Sequence, residues 1–173
     1  HHLSDYLDAL SSKILELDGT IDKYIGDAIM CFWGAPITME DQADKACIAA
    51  LVCQQTNMKL NQEWIAKGLP ALPTRMGIHT GISIVGNIGS STRLNYTALG
   101  DNINLAARLE SVNKQYGTFI LISEDTRLQL KGEYLTRPVD VVALKGKQQS
   151  ILIHELIAGR YESNVIVATE TEQ

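Results

Sequence analysis

Apolar residues recur at three- and four-residue steps through the start of the chain. They are Leu3, Leu7, Leu10, Ile14 and Leu17. This spacing places them on one face of a helix, so we predict an amphipathic helix over residues 3–17. The Asp18–Gly19 pair that follows is typical of a helix end.

A second, longer helix is predicted to end near residue 66. Thr38 or Asp41 can cap its N-terminus, and the Lys-Gly-Leu-Pro segment at 67–70 ends it. Its apolar stripe consists of Ala43, Ala46, Cys47, Ala50, Leu51 and Met58. A stripe of this kind indicates a helix that packs on a core.

The remaining patterns predict strands. Residues 19–34 form two β-rich runs joined by Gly26–Asp27, which indicates a hairpin with an acidic tip. Residues 75–79 and 82–86 flank Thr80–Gly81 and predict a second hairpin, followed by a loop at 87–92. A strand at 94–99 then leads into a helix at 102–112.

The last third of the chain predicts a strand at 119–122, a short helix beginning at Ser123, and two strands around residues 144–147. The strand at 151–156 is expected to end the fold. We therefore place one domain at residues 1–160 and a polar, acidic tail or linker at 161–173. Helices alternating with hairpin-joined strands predict an α+β sandwich on a mainly antiparallel sheet.

Composition narrows the classes of function. A chain of 173 residues, 45% of them hydrophobic, can form one domain with a core. A formal net charge of -5 argues against a nucleic-acid partner, so an anionic ligand needs locally placed cations. Cys31, Cys47 and Cys53 have neither disulfide nor metal spacing and are expected to be free thiols.

No apolar run approaches the roughly 20 residues that cross a bilayer, and no signal-peptide pattern is present. We therefore expect a cytoplasmic domain, and a membrane anchor in a longer parent protein is compatible with it.

The segment 95–110, Asn-Tyr-Thr-Ala-Leu-Gly-Asp-Asn-Ile-Asn-Leu-Ala-Ala-Arg-Leu-Glu, carries the first chemical signal. Asn104 and Arg108 are four residues apart near a predicted helix start, so both side chains lie on one helical face. An amide, a guanidinium and free backbone N–H groups together can hold a phosphate-bearing ligand.

Together with residues 19–34, this segment resembles the class III nucleotide cyclases, and particularly the bacterial adenylyl cyclases with Thr at the position of Thr97. The resemblance covers roughly residues 3–157. It implies a ferredoxin-like βαββαβ core with additional strands. It also implies conversion of ATP to 3′,5′-cyclic AMP and pyrophosphate, with two Mg²⁺ or Mn²⁺ ions per complete site.

The resemblance assigns roles to individual residues. Lys23 and Thr97 match the purine-selecting pair, at which guanylyl cyclases usually have Glu and Cys, so ATP is favoured over GTP. Asn104 matches the ribose-orienting asparagine, and Arg108 matches the arginine that stabilises charge on the α-phosphate. Asp27 matches one of two metal-binding aspartates.

Two further assignments rest on shorter matches. Lys145 corresponds to a phosphate-contacting lysine on a late strand, and the nearby Lys147 is the alternative for that role. His79 and His154 lie in strand-like runs without a convincing metal partner, so we expect them to be structural.

One feature of the family is missing. Its other metal aspartate belongs to an earlier strand with an Asp-Ile-x-Gly-Phe-Thr-like pattern, and Asp5 and Asp8 of the first helix cannot replace it. We therefore expect an N-terminally truncated domain that binds metal weakly and shows little or no turnover by itself.

In the family, the metal aspartates of one subunit face the other residues of the site on the second subunit, so a homodimer is implied, with regulatory domains elsewhere in the parent protein. Two alternatives remain open. One is a non-catalytic cyclase-homology module that dimerises or senses nucleotide, and the other is a guanylyl cyclase.

Overall fold

A computed structural model describes residues 2–143 and 149–169. In this part of the chain the helices are α1 His2–Glu16, α2 Gln42–Ala66, α3 Asp101–Tyr116 and α4 Glu124–Leu128. The strands are β1 Thr20–Ile25, β2 Ala28–Phe32, β3 Met76–Ile78, β4 Ile84–Ser90, β5 Arg93–Leu99, β6 Ile120–Ser123, β7 Tyr134–Ala143, β8 Ser150–Tyr161 and β9 Asn164–Val167. The predicted α+β class is confirmed.

The core is a five-stranded sheet with the order β3-β6-β8-β7, and β9 pairs with β8. Among its described strands β3 and β6 are the one parallel pair, so the sheet is mainly antiparallel, as predicted. Ile120 and Ile122 of β6 pack with α2 residues, whereas Leu121 between them packs with Leu105 and Leu109 of α3. The central strand is therefore covered by a helix on each face.

The predicted helices form at the predicted places because each has an apolar face to bury. Tyr6, Leu10 and Ile14 of α1 pack against Cys53 and Trp64 of α2. Asp41 is the residue before the first turn of α2, but its side chain makes no capping hydrogen bond, so only the position of the predicted cap is correct. No helix in the described part of the chain has the length and apolar character needed to cross a membrane.

The three cysteines are free, as expected. Burial raises the pKa of Cys31 and Cys53 to about 12 and raises that of Cys47 as well. The thiols are therefore protonated and poorly nucleophilic at neutral pH.

The predicted hairpin around Thr80–Gly81 is wrong. Instead, β3 pairs in parallel with the distant β6, and β4 pairs with β5 through a turn at residues 91–92. The Asn102 amide nitrogen donates to the Ile82 carbonyl at 2.6 Å, so the segment after β3 is held against the start of α3.

The predicted loop at 87–92 is for the most part strand, because an exposed two-stranded ribbon accepts polar residues on both faces.

Regular structure continues beyond residue 160, where the sequence places the end of the domain. β8 continues to Tyr161, and β9 folds back on it with Ile166 paired to Gly159. Ile166 and Ala168 are buried in the cluster formed by α2 and the sheet. The polar character of residues 161–164 marks a tight turn, so the fold includes at least four apolar positions beyond it: Val165, Ile166, Val167 and Ala168.

An ion-pair network joins α4 to the sheet. The Arg127 guanidinium donates to both Glu124 carboxylate oxygens at 2.7 and 2.6 Å, and His154 of β8 forms a hydrogen bond with the same carboxylate. The Arg127 hydrogen bonds and, to a smaller extent, the His154 hydrogen bond lower the pKa of Glu124 to about 2. The ionised carboxylate therefore stabilises the folded state.

We expect this contribution to be complete above the unfolded pKa, near 4.5, and to be lost as the pH falls toward 2. Glu124→Gln should lower the free energy of unfolding by about 1 kcal/mol at pH 6, and the difference from wild type should shrink below pH 4.5. Urea unfolding from pH 6 to pH 2.5 measures this. Glu133→Gln, which removes an exposed pair with Arg160, is the control and should change stability little at any pH. A constant difference for Glu124→Gln over this range would contradict the assignment.

Candidate functional site

The acidic hairpin tip is present as predicted. β1 and β2 pair antiparallel, with Ile25 opposite Ala28, and Gly26–Asp27 forms the turn. Gly26 has a φ of 62°, a left-handed conformation that favours glycine, and Asp27 is exposed. The carboxylate is therefore presented to ligands at the end of the ribbon.

Asn104 and Arg108 lie on the exposed face of α3, one turn apart. Leu105 and Leu109 anchor the helix from its buried face. Within residues 2–143 and 149–169, neither Asn104 nor Arg108 has a hydrogen-bond or ion-pair partner. Both polar groups are therefore available for a ligand, at the first two turns of the helix.

The two residues matched to the purine-selecting pair meet at a third residue, Asp22. The Thr97 hydroxyl donates to Asp22 Oδ2 at 2.7 Å, and the Ala98 backbone N–H donates to the same oxygen at 3.0 Å. Lys23 Nζ lies 3.6 Å from Asp22 Oδ1. The Asp22 side chain is only 1% exposed, so this carboxylate fixes β1 to β5.

Asp22 is a residue that the sequence analysis missed. The register of β1 against β2 shifts between Ile21 and Lys23, and this bulge includes Asp22. An acidic residue in a strand next to a residue matched to base recognition was the available signal. Its pairing with Thr97, 75 positions later, could not be read from local spacing.

A cleft of about 550 Å³ is lined by the β1–β2 ribbon, by β3, by one face of α3 and by residues of α1 and α2. Its largely apolar wall contains a few polar residues, including Asp27, Arg75, His79, Asn102 and Glu110. Lys23, Thr97, Asn104 and Arg108 do not line it. Among the described residues matched to the family's site, Asp27 therefore borders this cleft and the other four do not.

The metal-binding groups are few in the described part of the chain. It contains no cluster of three or more His, Cys, Asp or Glu that could hold an ion. The Asp27 carboxylate is the hard oxygen ligand that Mg²⁺ prefers, but one carboxylate does not form a two-ion site. Lys145 and Lys147 lie outside the described residues.

The two histidines in strand-like runs, His79 and His154, have structural partners. His79 Nδ1 is 2.7 Å from the Ser123 hydroxyl, and Nε2 is 3.0 Å from Asn102 Oδ1. Burial lowers the pKa of His79, which favours the neutral ring. His154 is paired with Glu124, so neither ring belongs to a metal cluster in the described segments.

Comparison with known proteins identifies the fold and the family. The model for the adenylate and guanylate cyclase catalytic domain matches residues 6–157. The chain is 39% identical to adenylate cyclase 1 of Rhizobium meliloti over 155 residues, covering 90% of this chain and 23% of that protein. It is 38% identical to an adenylate cyclase of Anabaena cylindrica over 163 residues, covering 90% of this chain and 32% of that protein. The chain thus spans less than a third of each of these relatives.

Solved structures agree. The crystal structure of the adenylyl cyclase CyaB from P. aeruginosa superposes with a TM-score of 0.82 at 35% identity, covering 92% of this chain and 82% of that chain. A guanylyl cyclase crystal structure superposes with a TM-score of 0.81 at 30% identity, covering 96% and 84% of the two chains. The chain belongs to the adenylate and guanylate cyclase catalytic domain family, the class III nucleotide cyclases.

Proposed function

We propose that this domain is the catalytic domain of an adenylyl cyclase, which converts ATP to 3′,5′-cyclic AMP and pyrophosphate in the cytoplasm. The observation that carries the choice of ATP is the convergence of Lys23 and Thr97 on Asp22. A lysine donor and a hydroxyl acceptor side by side complement the N1 and amino edge of adenine, whereas the guanylyl enzymes usually have Glu and Cys at these positions.

The reaction needs positioning and charge stabilisation more than covalent chemistry. A bond forms between the ribose 3′-oxygen and the α-phosphorus, the bond from that phosphorus to the β-phosphate bridging oxygen breaks as pyrophosphate leaves, and the 3′-hydroxyl proton passes to water. Asn104 would orient the ribose, and Arg108, one turn away on the same exposed face, would stabilise the charge that develops on the α-phosphate.

Two divalent ions, Mg²⁺ or Mn²⁺, supply this chemistry in the family by acidifying the attacking hydroxyl and holding the triphosphate. The Asp27 carboxylate would supply one of the protein ligands for these ions. The segments matched to the family supply this one aspartate, and the described residues contain no group of three or more His, Cys, Asp or Glu that could hold an ion. We therefore propose that the second carboxylate comes from a segment outside them. Lys145 would contact a phosphate of the nucleotide.

We further propose that the site is shared between two copies of the domain. Asp27 lines the cleft, whereas Arg108 and Asn104 face away from it, so one chain does not gather these residues at one place. The β4–β5 ribbon and the segment just before it expose apolar side chains that a second copy could cover: Ile82, Ile84, Leu94 and Leu99. Regulatory domains would occupy the remaining length of the parent protein.

A non-catalytic cyclase-homology module is the second candidate. The observation that favours it is the same lack of a metal cluster in the described part of the chain. Such a module would bind nucleotide or dimerise without turnover, and it would leave the Lys23–Asp22–Thr97 arrangement intact.

The deciding experiment measures ATP and GTP turnover by the full-length protein, with Mg²⁺ and with Mn²⁺. We expect cyclic AMP to form in preference to cyclic GMP, and the double variant Lys23→Glu/Thr97→Cys to lower this preference by at least about tenfold. Lys59→Glu, on an exposed position of α2, is the control and should leave the preference unchanged. No turnover with either nucleotide would support the non-catalytic module, and preferred use of GTP by the wild type would support a guanylyl cyclase.

A further inference from the structure

We infer that Asp22 is a positioning residue that forces the Thr97 hydroxyl to accept, not donate, a hydrogen bond from the purine, and thereby selects adenine. This inference rests on the proposed function, because it concerns how the same base-binding residues discriminate between nucleotides. It adds a residue that the family match did not supply.

The first step is the direction of the hydrogen bond. An Asp carboxylate offers acceptor oxygens only, so at 2.7 Å the shared proton belongs to the Thr97 hydroxyl. The Ala98 N–H bonded to the same oxygen, at 3.0 Å, prevents the carboxylate from turning away. With the Asp22 side chain 1% exposed, water cannot readily take over either bond. A hydrogen bond to a buried carboxylate is among the stronger kinds.

The second step is what Thr97 can then offer a ligand. A hydroxyl has one proton and two lone pairs, and Asp22 uses the proton. Only the acceptor lone pairs remain. Adenine has an amino group at position 6, which donates, whereas guanine and hypoxanthine have a carbonyl oxygen there, which accepts. Adenine therefore gains a hydrogen bond, while the other two bases place two acceptors against each other.

The third step concerns Lys23. Its ammonium lies 3.6 Å from the other Asp22 oxygen and is half exposed, so the carboxylate also holds this cation beside Thr97. Thr97 itself is 5% exposed, which limits any contact to a small part of its surface. One buried carboxylate thus sets both the direction of the hydroxyl and the place of the lysine.

The test compares kcat/KM for ATP and for inosine triphosphate, which carries the carbonyl oxygen without guanine's 2-amino group, in the full-length protein. Asp22→Ala frees the hydroxyl to rotate and donate, so the ATP preference should fall by about tenfold, with a gain in inosine triphosphate use. Asp22→Asn keeps an acceptor oxygen and should retain the preference within about threefold. Thr97→Val should lower ATP use, because the acceptor for the adenine amino group is lost.

Asp44→Ala is the matched control. Asp44 also accepts from a backbone N–H, that of Gly132 at 2.8 Å, and from a hydroxyl, that of Tyr134 at 3.0 Å, but it lies elsewhere in the fold. Its loss should lower thermal stability and leave the nucleotide preference unchanged. If Asp22→Ala lowers kcat/KM for both nucleotides by the same factor, Asp22 is only structural and the inference is overturned.

If Asp22→Ala fails to fold, Thr97→Val still tests whether the Thr97 hydroxyl acts as an acceptor. Thr97→Val should lower the preference for ATP over purine riboside triphosphate, which lacks the amino group, by about tenfold. An unchanged preference would overturn the acceptor role. A wild type that does not convert ATP overturns the proposed function together with this inference, whereas an unchanged preference in an active Asp22→Ala protein overturns this inference alone.

Discussion

Replacing Arg108 with alanine should lower cyclic AMP production by the full-length protein by about 100- to 1,000-fold, while KM for ATP changes by less than about threefold. The charge that Arg108 would meet on the α-phosphate develops as the 3′-oxygen attacks. An interaction of this kind lowers the energy of the transition state more than that of bound ATP. The loss should therefore appear in kcat.

The structure indicates that Arg108→Ala should leave the fold intact, so a loss of turnover can be assigned to the site. Arg108 is exposed on α3 and has no hydrogen-bond or ion-pair partner within the described segments, so its removal breaks no folded-state contact of that type. Buried Leu105 and Leu109 hold the helix independently. The free energy of unfolding should then stay within about 0.5 kcal/mol of the wild-type value.

Two variants make the measurement specific. Arg108→Lys keeps the charge but loses the two-pronged guanidinium, so its turnover should lie between those of Arg108→Ala and wild type. Lys114→Ala removes an exposed cation near the end of the same helix and should leave turnover near the wild-type level. A rise in KM with unchanged kcat in Arg108→Ala would place Arg108 in ground-state binding of ATP instead.

The sequence was informative wherever structure follows from nearby residues. The apolar period predicts α1, α2 and α3, and turn chemistry predicts Gly26–Asp27. The register of Asn104 and Arg108 on one exposed face follows from helix geometry alone. These features need no knowledge of which element packs on which.

The errors arose where pairing is decided at long range. Thr80–Gly81 is ordinary turn chemistry, but β3 pairs with the buried β6, more than 40 positions later, and does not close a local hairpin. Residues 87–90 look like a loop by composition and become a strand because β5 supplies hydrogen-bond partners. β9 was missed because its apolar run is only four residues long.

The same limit applies to the candidate site. Each residue matched to the family could be named from its motif, yet the role of Asp22 depends on a bond between β1 and β5. The separation of Asp27 from Arg108 is likewise a property of the fold, since it depends on which face of α3 borders the cleft. Motifs identify the groups, and packing decides which of them act together.

That separation leads to the prediction with the sharpest outcome. Asp27→Ala and Arg108→Ala should each reduce cyclic AMP production to about 1% of wild type or less, yet an equal mixture in which subunits exchange should recover about a quarter. Half of the dimers in such a mixture contain one copy of each variant. In each mixed dimer, one site carries both substitutions and the other carries neither.

The control uses two variants from the same half of the site. Asn104 and Arg108 lie on one helix face of one chain, so a mixed dimer of Asn104→Ala and Arg108→Ala has one substitution in each of its two sites. No site is then intact, and activity should stay at the level of the single variants. Co-expression with two different tags, followed by purification on both, isolates the mixed dimers for this comparison.

The two pairings separate the possible architectures. Recovery with Asp27→Ala plus Arg108→Ala, and none with Asn104→Ala plus Arg108→Ala, is the pattern of a site built from two chains. If every catalytic residue acted within its own chain, each mixed dimer would contain two damaged sites and neither pairing would recover activity. Purified mixed dimers of Asp27→Ala and Arg108→Ala that remain inactive would therefore refute the shared site. Asp27 and Arg108 would then have to act together within one copy of the chain.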